Sequence, residues 1–429
     1  MKSPFNLTPR PFLYSLAIGA VTVPGVWAQT DPSLVNHPAV VPVGAGLDSV
    51  RGDGPMDLTE DSVSPEVAAA AEGSSDFSSL FTAAVRGSMR LDDNMFLTPD
   101  DEDSDVIITI TPTLQLANDE DAKNTWSFAY APSIISYLDN SNLNSVNNSF
   151  ALELGTRLPK TEIDFSADYS EISGSDRFVS GQIDKTTYGA KLDLTHELTG
   201  KTRLDATLGY AKTDYETASL FDTTAYDLLL TWQYQYSGKI SLGPYVSYGE
   251  TEVDTQPDHQ AIGVGIKFDY EMTGKTAMIG KLGYENRSFS GPMAGSDHNL
   301  FTYEIGLSHE YSGKTEFQLM LYRRSNASYS IASSGYYGTG LFILGTHDMT
   351  DRLTLKSKLA YERDSYYATS TVSAADLDSH YYEFNMGADY EFNDQCTFGM
   401  NFIWRSNDSE TDSSDFDNLA LELFSTYYF

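Results

Sequence analysis

Charged side chains recur at every second position through long stretches of this sequence, and that spacing limits the chemistry open to them. In 161–170, Glu162, Asp164, Ser166 and Asp168 share one face of an extended segment, and Ile163, Phe165, Ala167 and Tyr169 share the other. Lys267, Asp269 and Glu271 stand opposite Ile262, Val264, Ile266, Phe268 and Tyr270, and Glu383, Asp389 and Glu391 stand opposite Tyr382, Phe384, Met386 and Tyr390. Such faces suit an aqueous surface or lumen better than an active site, which needs a nucleophile, a base and an orienting group to converge. The histidines at 37, 196, 259, 298, 309, 347 and 380 show no metal-ligand spacing, and Asp378/His380 and Asp297/His298 are near-neighbours of a kind that arises by chance. The sequence therefore predicts no catalytic residues and no cofactor.

Other motifs are equally restricted. Gly-Lys-Thr stands at 200–202, 274–276 and 313–315, but a phosphate-cradling loop needs a glycine five positions before the second one, where Thr195, Asp269 and Ser308 stand. The single cysteine, Cys396, excludes a disulfide framework and any multi-thiolate metal site, and it shares an apolar face with Phe398 and Met400. Asp100, Asp101, Glu102, Asp103 and Asp105 crowd oxygen ligands of the kind divalent cations take, without EF-hand spacing. A solvated acidic loop is the plainer reading, and no metal is predicted.

Lys and Arg number 27 against 61 Asp and Glu, so the formal charge is 27 − 61 = −34, which argues against a nucleic-acid partner. Lys2 and Arg10 precede the short apolar run Phe12 to Val23 and the cleavage-like Val26-Trp27-Ala28, so residues 1–28 read as a signal peptide. Residues 29–76, with Pro32, Pro38, Pro42, Pro55 and Pro65 and no persistent period, read as a disordered periplasmic linker. Residues 77–429 contain no run of 18 apolar residues, so any membrane crossing there is made by strands.

Those strands are marked by a repeat. Thr199-Gly200-Lys201, Ser237-Gly238-Lys239, Thr273-Gly274-Lys275 and Ser312-Gly313-Lys314 recur at spacings of 38, 36 and 39, with weaker members at Leu158-Pro159-Lys160, Thr350-Asp351-Arg352 and Asn393-Asp394-Gln395. Each reads as a tight hairpin in which glycine supplies a positive φ. About 18 strands are expected, near 78–91, 105–117, 124–138, 148–158, 161–173, 184–197, 201–215, 222–236, 240–252, 259–272, 276–289, 299–311, 315–329, 337–349, 353–367, 380–392, 396–409 and 416–429. A propeller or solenoid also repeats at this length, but two long strands per repeat with alternating short and long connections fit a hairpin array. A soluble sandwich would bury the apolar face, but these segments run ten to fifteen residues, longer than typical sandwich strands. The expected fold is an all-β, antiparallel, up-and-down transmembrane barrel with short periplasmic turns, long outer loops and a water-filled lumen. The pairs Tyr336-Tyr337, Tyr366-Tyr367, Tyr381-Tyr382 and Tyr427-Tyr428 are expected at the membrane interface.

The stretch Leu91-Asp92-Asp93-Asn94-Met95-Phe96-Leu97-Thr98-Pro99, followed by Ser104-Asp105-Val106-Ile107 and Thr111-Pro112-Thr113-Leu114, resembles the opening region of the β-barrel porin family of the second type, some of whose members accompany exopolysaccharide export genes. That family commonly has glycine where Thr113 stands. The aromatic strand ending at Phe429 resembles the terminal strand of bacterial outer-membrane proteins. These resemblances imply the cell outer membrane, contact with its lipid, and recognition of Tyr427 and Phe429 by the barrel-assembly machinery. The pore is expected to be lined by Glu162, Asp164, Asp168, Lys191, Asp193, Arg203, Asp205, Lys267, Asp269, Glu304, Lys356, Lys358, Glu383, Asp389, Arg405 and Glu422, an acidic excess that favours cations weakly. The leading expectation is passive diffusion of small hydrophilic solutes. Two alternatives stand beside it: a conduit for exported polysaccharide, and a plugged structural or adhesive barrel acting through its acidic loops.

Overall fold

The computed structural model describes residues 81–100, 102–118, 122–217, 220–254, 257–290, 297–328, 335–367, 378–410 and 414–429. The signal peptide and linker expected from the sequence lie outside the described residues, as do Asp101 and positions 78–80 of the first expected strand. A single 3-10 turn, Ser141–Leu143, is the one helical element among the described residues.

Twenty strand segments form one antiparallel sheet: β1 Phe81–Asp92, β2 Asp105–Ala117, β3 Asn124–Tyr130, β4 Ser133–Tyr137, β5 Ser145–Asn147, β6 Ser149–Arg157, β7 Thr161–Asp176, β8 Gly181–Thr199, β9 Thr202–Tyr215, β10 Thr223–Ser237, β11 Ile240–Val253, β12 His259–Thr273, β13 Thr276–Phe289, β14 His298–Ser312, β15 Thr315–Ala327, β16 Gly335–Thr350, β17 Leu353–Tyr366, β18 Ser379–Asn393, β19 Cys396–Ser409 and β20 Phe416–Tyr428. β3 and β4 both pair with β2, and β5 and β6 continue one another beside them, so each of these two pairs forms one interrupted stave. The sheet therefore has eighteen staves, close to the expected boundaries. β1 also pairs with β20, from Ala84↔Tyr428 to Asp92↔Ala420, and this seam closes the sheet. Closure removes both edges, the one arrangement in which a sheet satisfies every backbone group without a partner.

The repeated turns differ from expectation in one respect. Among the described non-glycine residues only Leu97 and Ser180 have positive φ, and Gly200, Gly238, Gly274 and Gly313 are not in the left-handed region either. The turns are held by a side chain instead. Thr199 Oγ1 accepts from Lys201 N–H at 3.2 Å, and Ser237, Thr273, Ser312, Thr350 and Asn393 do the same for the residue two positions on, at 2.9–3.3 Å. This explains why aspartate can replace glycine at 351 and 394. Each turn is preceded by a β-bulge, as between Glu197 and Thr199 or Gln235 and Ser237. The backbone carbonyl of each turn's third residue then accepts from the neighbouring hairpin, for example Gln235 N to Lys201 O at 2.7 Å. Adjacent turns are thus locked into one rim.

Gly200→Ala should shift unfolding free energy by no more than about 0.5 kcal/mol, since nothing lies within 4 Å of the added carbon. Thr199→Ala should cost about 1 kcal/mol through the lost hydrogen bond. Urea unfolding of the lipid-refolded protein, followed by Trp fluorescence, distinguishes the two.

Candidate functional site

Exposure along the strands is inverted relative to a water-soluble protein. Ile262, Val264 and Ile266 are 58%, 53% and 53% exposed, whereas Lys267, Glu383 and Arg405 are 5%, 2% and 1% exposed. In a closed sheet the shielded face is the concave one, so charges point into the lumen and aliphatic side chains face outward. Confirmation comes from Arg203 on β9, which reaches Asp269 on β12 at 3.5 Å across two intervening strands, a contact possible only on the inner face. An outward apolar surface of this extent around a polar interior requires a hydrocarbon solvent. The chain is a transmembrane β barrel of the outer-membrane type.

No family model matches the chain, and no curated protein sequence matches it. Among solved structures, OccK2 (OpdF) of Pseudomonas aeruginosa is 11% identical, with 83% of this chain and 100% of that one covered at a TM-score of 0.46. OccAB3 of Acinetobacter baumannii is 10% identical, with 81% and 99% covered at 0.46. The FrpB iron transporter of Neisseria meningitidis is 9% identical, with 81% and 82% covered at 0.44. Likenesses this slight carry no argument about solute or partner.

The sixteen expected lining positions all fall on the barrel strands, and most enter ion pairs along the inner wall. Glu162 accepts from Arg157 at 3.0 Å, Asp193 pairs with Lys191 at 2.9 Å, and Arg203 joins Asp205 at 3.0 Å as well as Asp269. Lys356 meets Asp389 at 2.6 Å, Lys358 meets Glu383 at 2.8 Å, Glu304 meets Lys281 at 2.9 Å, and Glu422 meets Arg86 at 3.3 Å. Arg405 donates to Asn418 Oδ1 at 2.9 Å and lies 4.0 Å from Asp92. Asp164 faces Asp193 across the β7–β8 pair, and Lys267 faces Lys281 across β12–β13. Asp168 is buried against Gly189, where a Cβ would meet its Oδ1 at 2.1 Å, so glycine is what makes room for this carboxylate.

Two connections on the long-loop rim fold into the lumen, and neither was visible in the sequence pattern. β7 and β8 form the longest hairpin, and its tip, Arg177 to Ser180, reaches the opposite wall. β7 and β8 are the fifth and sixth staves and β17 is the fifteenth, about half-way round the barrel. Arg177 Nη2 donates to Glu362 at 2.5 Å and to Asp364 at 3.2 Å, while its guanidinium lies 4.6 Å from the Tyr381 ring centroid. Phe178 packs on Tyr336 with centroids 5.7 Å apart, and Ile183, Leu220, Phe178, Val179 and Tyr215 form a small core under the tip. An arginine strut therefore spans the lumen, a feature on which the sequence was silent. The expectation for the tyrosine pairs is corrected. Tyr336 and Tyr381 are buried on the inner side, because alternation sends the two members of their pairs to opposite faces and the strut needs apolar contacts. Tyr366 lies opposite Tyr336 across the β16–β17 pair, and Tyr367, just past the end of β17, is buried against Phe289 and His298.

The second infolded connection, between β1 and β2, contains the stretch that resembles the porin family. Leu97, at φ 53°, is fully buried against Ala360, Tyr381 and Phe416. Asn94 donates to the carbonyls of Thr98 and Asp417 at 2.8 and 2.9 Å, pinning the loop across the seam. Asp105 Oδ1 accepts from the N–H groups of Val106, Leu138 and Asp139, and its Oδ2 accepts from Asn140. This carboxylate is occupied as a loop cap. Among the described residues no three His, Cys, Asp or Glu side chains come together as a metal site. Asp378 is held by Arg363 at 2.6 Å, and His380 Nδ1 is 2.9 Å from the Tyr361 hydroxyl, so each has its own partner.

Beside the strut the inner wall forms a recess lined by Asp227, Tyr245, Lys281, Glu285, Arg287 and Arg324 among others. Towards the short-turn rim the inner face becomes predominantly acidic. Glu197, Asp269, Glu271, Glu310, Glu316 and Glu391 lie there on inward positions, set by their registers with Arg203, Ile279, Ala277 and one another.

Arg177→Ala leaves Glu362 and Asp364 buried without that guanidinium and should cost about 3 kcal/mol. Arg177→Ala combined with Glu362→Gln should recover part of the loss. Equilibrium urea unfolding of both variants measures the difference.

Proposed function

We propose that this protein is a porin-like channel of the bacterial outer membrane that admits small hydrophilic solutes by passive diffusion and weakly prefers cations. The observation that carries this reading is the strut. A buried, ion-paired arginine at the tip of an infolded hairpin divides a charged lumen, which restricts passage to small solutes while leaving polar walls beside it. The acidic inner face at the short-turn rim supports cation preference, because carboxylates along a low-dielectric wall raise the local cation concentration. The short-turn rim then faces the periplasm, residues 1–28 act as the export signal, and 29–76 as a periplasmic linker. The strand carrying Tyr427 and Phe429 is the segment presented to the barrel-assembly machinery. The strut weighs against a polysaccharide conduit, since a continuous polymer would have to displace the Arg177 ion pairs.

Single-channel recording in a planar bilayer under a KCl gradient tests the proposal. Stepwise ohmic openings with a cation-sided reversal potential are expected, and Arg177→Ala should raise the conductance. Glu271→Gln with Glu310→Gln and Glu391→Gln should move the reversal potential towards zero. Folded protein that never conducts, with or without Arg177, would reject the channel in favour of a plugged structural or adhesive barrel.

A further inference from the structure

The short-turn rim carries a pattern that the lumen does not explain. Six consecutive turns place a cation at their third position: Lys160, Lys201, Lys239, Lys275, Lys314 and Arg352. All six are exposed. The carbonyl of each accepts from the bulge residue of the next hairpin, respectively Glu197, Gln235, Glu271, Glu310, Asp348 and Glu391, at 2.7–2.9 Å. The backbone of each cationic residue is therefore held beside the residues on either side of that acceptor's partner.

The residue before the partner is always histidine or tyrosine: His196, Tyr234, Tyr270, His309, His347 and Tyr390. The residue after it, pushed out by the bulge, is always apolar or aromatic: Leu198, Tyr236, Met272, Tyr311, Met349 and Phe392, between 40% and 71% exposed. Both point away from the lumen, because the residue between them shares the inward face of Arg203 or Asp389. In the three histidine copies the cation is followed by threonine, and Thr161, Thr276 and Thr315 hold Nδ1 of His196, His309 and His347 at 2.9, 2.9 and 2.8 Å. That contact fixes the ring and leaves Nε2 directed away from the threonine. Two cations lie directly over the neighbouring bulge: Lys239 Nζ donates to Met272 O at 3.5 Å, and Arg352 Nη1 to Phe392 O at 3.3 Å.

A cation, a polar-tipped aromatic and a protruding apolar side chain, repeated at the boundary of the lipid-facing surface, match one partner chemistry. The apolar group enters the acyl region, while the ammonium and the ring N–H or O–H address an oxyanion at headgroup depth. We propose that the short-turn rim is a collar of six quasi-equivalent sites for phospholipid phosphate, each built by two adjacent hairpins. Glu197, Glu271, Glu310, Asp348 and Glu391 do not oppose it, because they lie on the lumen side. Asp351, in the turn itself, is exposed and meets Lys314 at 3.7 Å, a solvent-screened pair that an oxyanion has only to displace at that one site. The collar rests on the membrane reading above and adds to it a specific lipid contact.

Native mass spectrometry of the full chain, released from detergent with either phosphatidylglycerol or diacylglycerol of the same acyl chains, tests this. The wild type should retain phosphatidylglycerol in steps up to six and little diacylglycerol. Lys160→Gln with Lys275→Gln and Lys314→Gln should remove three of those steps and weaken retention about fivefold per site, while the corresponding lysine-to-arginine set should retain them. Equal retention of the two lipids, or no change in the glutamine set, would overturn the collar. Flotation with phosphatidylglycerol liposomes separates the two claims: a barrel that floats with unchanged lipid retention loses the collar alone, whereas one that does not insert loses the membrane reading as well.

Discussion

Everything in this structure depends on the requirement that no backbone N–H or C=O be left facing hydrocarbon without a partner. A sheet meets it only by closing, and the β1–β20 register from Ala84↔Tyr428 to Asp92↔Ala420 is where this chain does so. Once closed, the sheet has an inside and an outside, and strict alternation assigns every side chain to one or the other. The aliphatic faces of β12 and β18 then have only lipid to contact, and the charges between them have only the lumen. The short-turn rim extends the same logic, since its turn carbonyls accept from the next hairpin and are not left open at the sheet's end.

Sending the charges inward creates a second problem. In a low-dielectric enclosure an unpaired charge is costly, so the wall is built from cross-strand ion pairs such as Lys356–Asp389 and Lys358–Glu383. Where two side chains would collide, glycine opens the space, as Gly189 does for Asp168. The same need gives the infolded hairpin its anchor. Glu362 and Asp364 are fully buried on β17, and Arg177 brings a delocalised charge whose Nη2 reaches both carboxylates. A strut across the lumen and neutralisation of the wall are thus two results of one contact.

Strand number, boundaries and facing were legible in the sequence because they rest on period-two alternation and on a turn repeated with nearly constant spacing, both local signals. The sixteen expected lining positions were read from the same alternation. What escaped were contacts between residues distant in the chain. Nothing local to Arg177 points to Glu362, 185 positions away, and nothing in Tyr336 or Tyr381 distinguishes a membrane interface from the underside of a strut. The glycine turns misled for a different reason: Gly-Lys invites a left-handed turn, but the preceding Thr or Ser hydroxyl supplies a competing hydrogen bond that holds the chain without one.

The most direct test of the inside-out arrangement is thiol labelling of single cysteines in a Cys396→Ser background, with the folded protein in liposomes and a water-soluble maleimide. Cysteine at Asp269 should label rapidly from the lumen, whereas cysteine at Ile266, three residues away on the outward face, should remain unlabelled until the bilayer is dissolved. Rapid labelling of position 266 with protection of position 269 would place the apolar face in water and contradict the barrel described here.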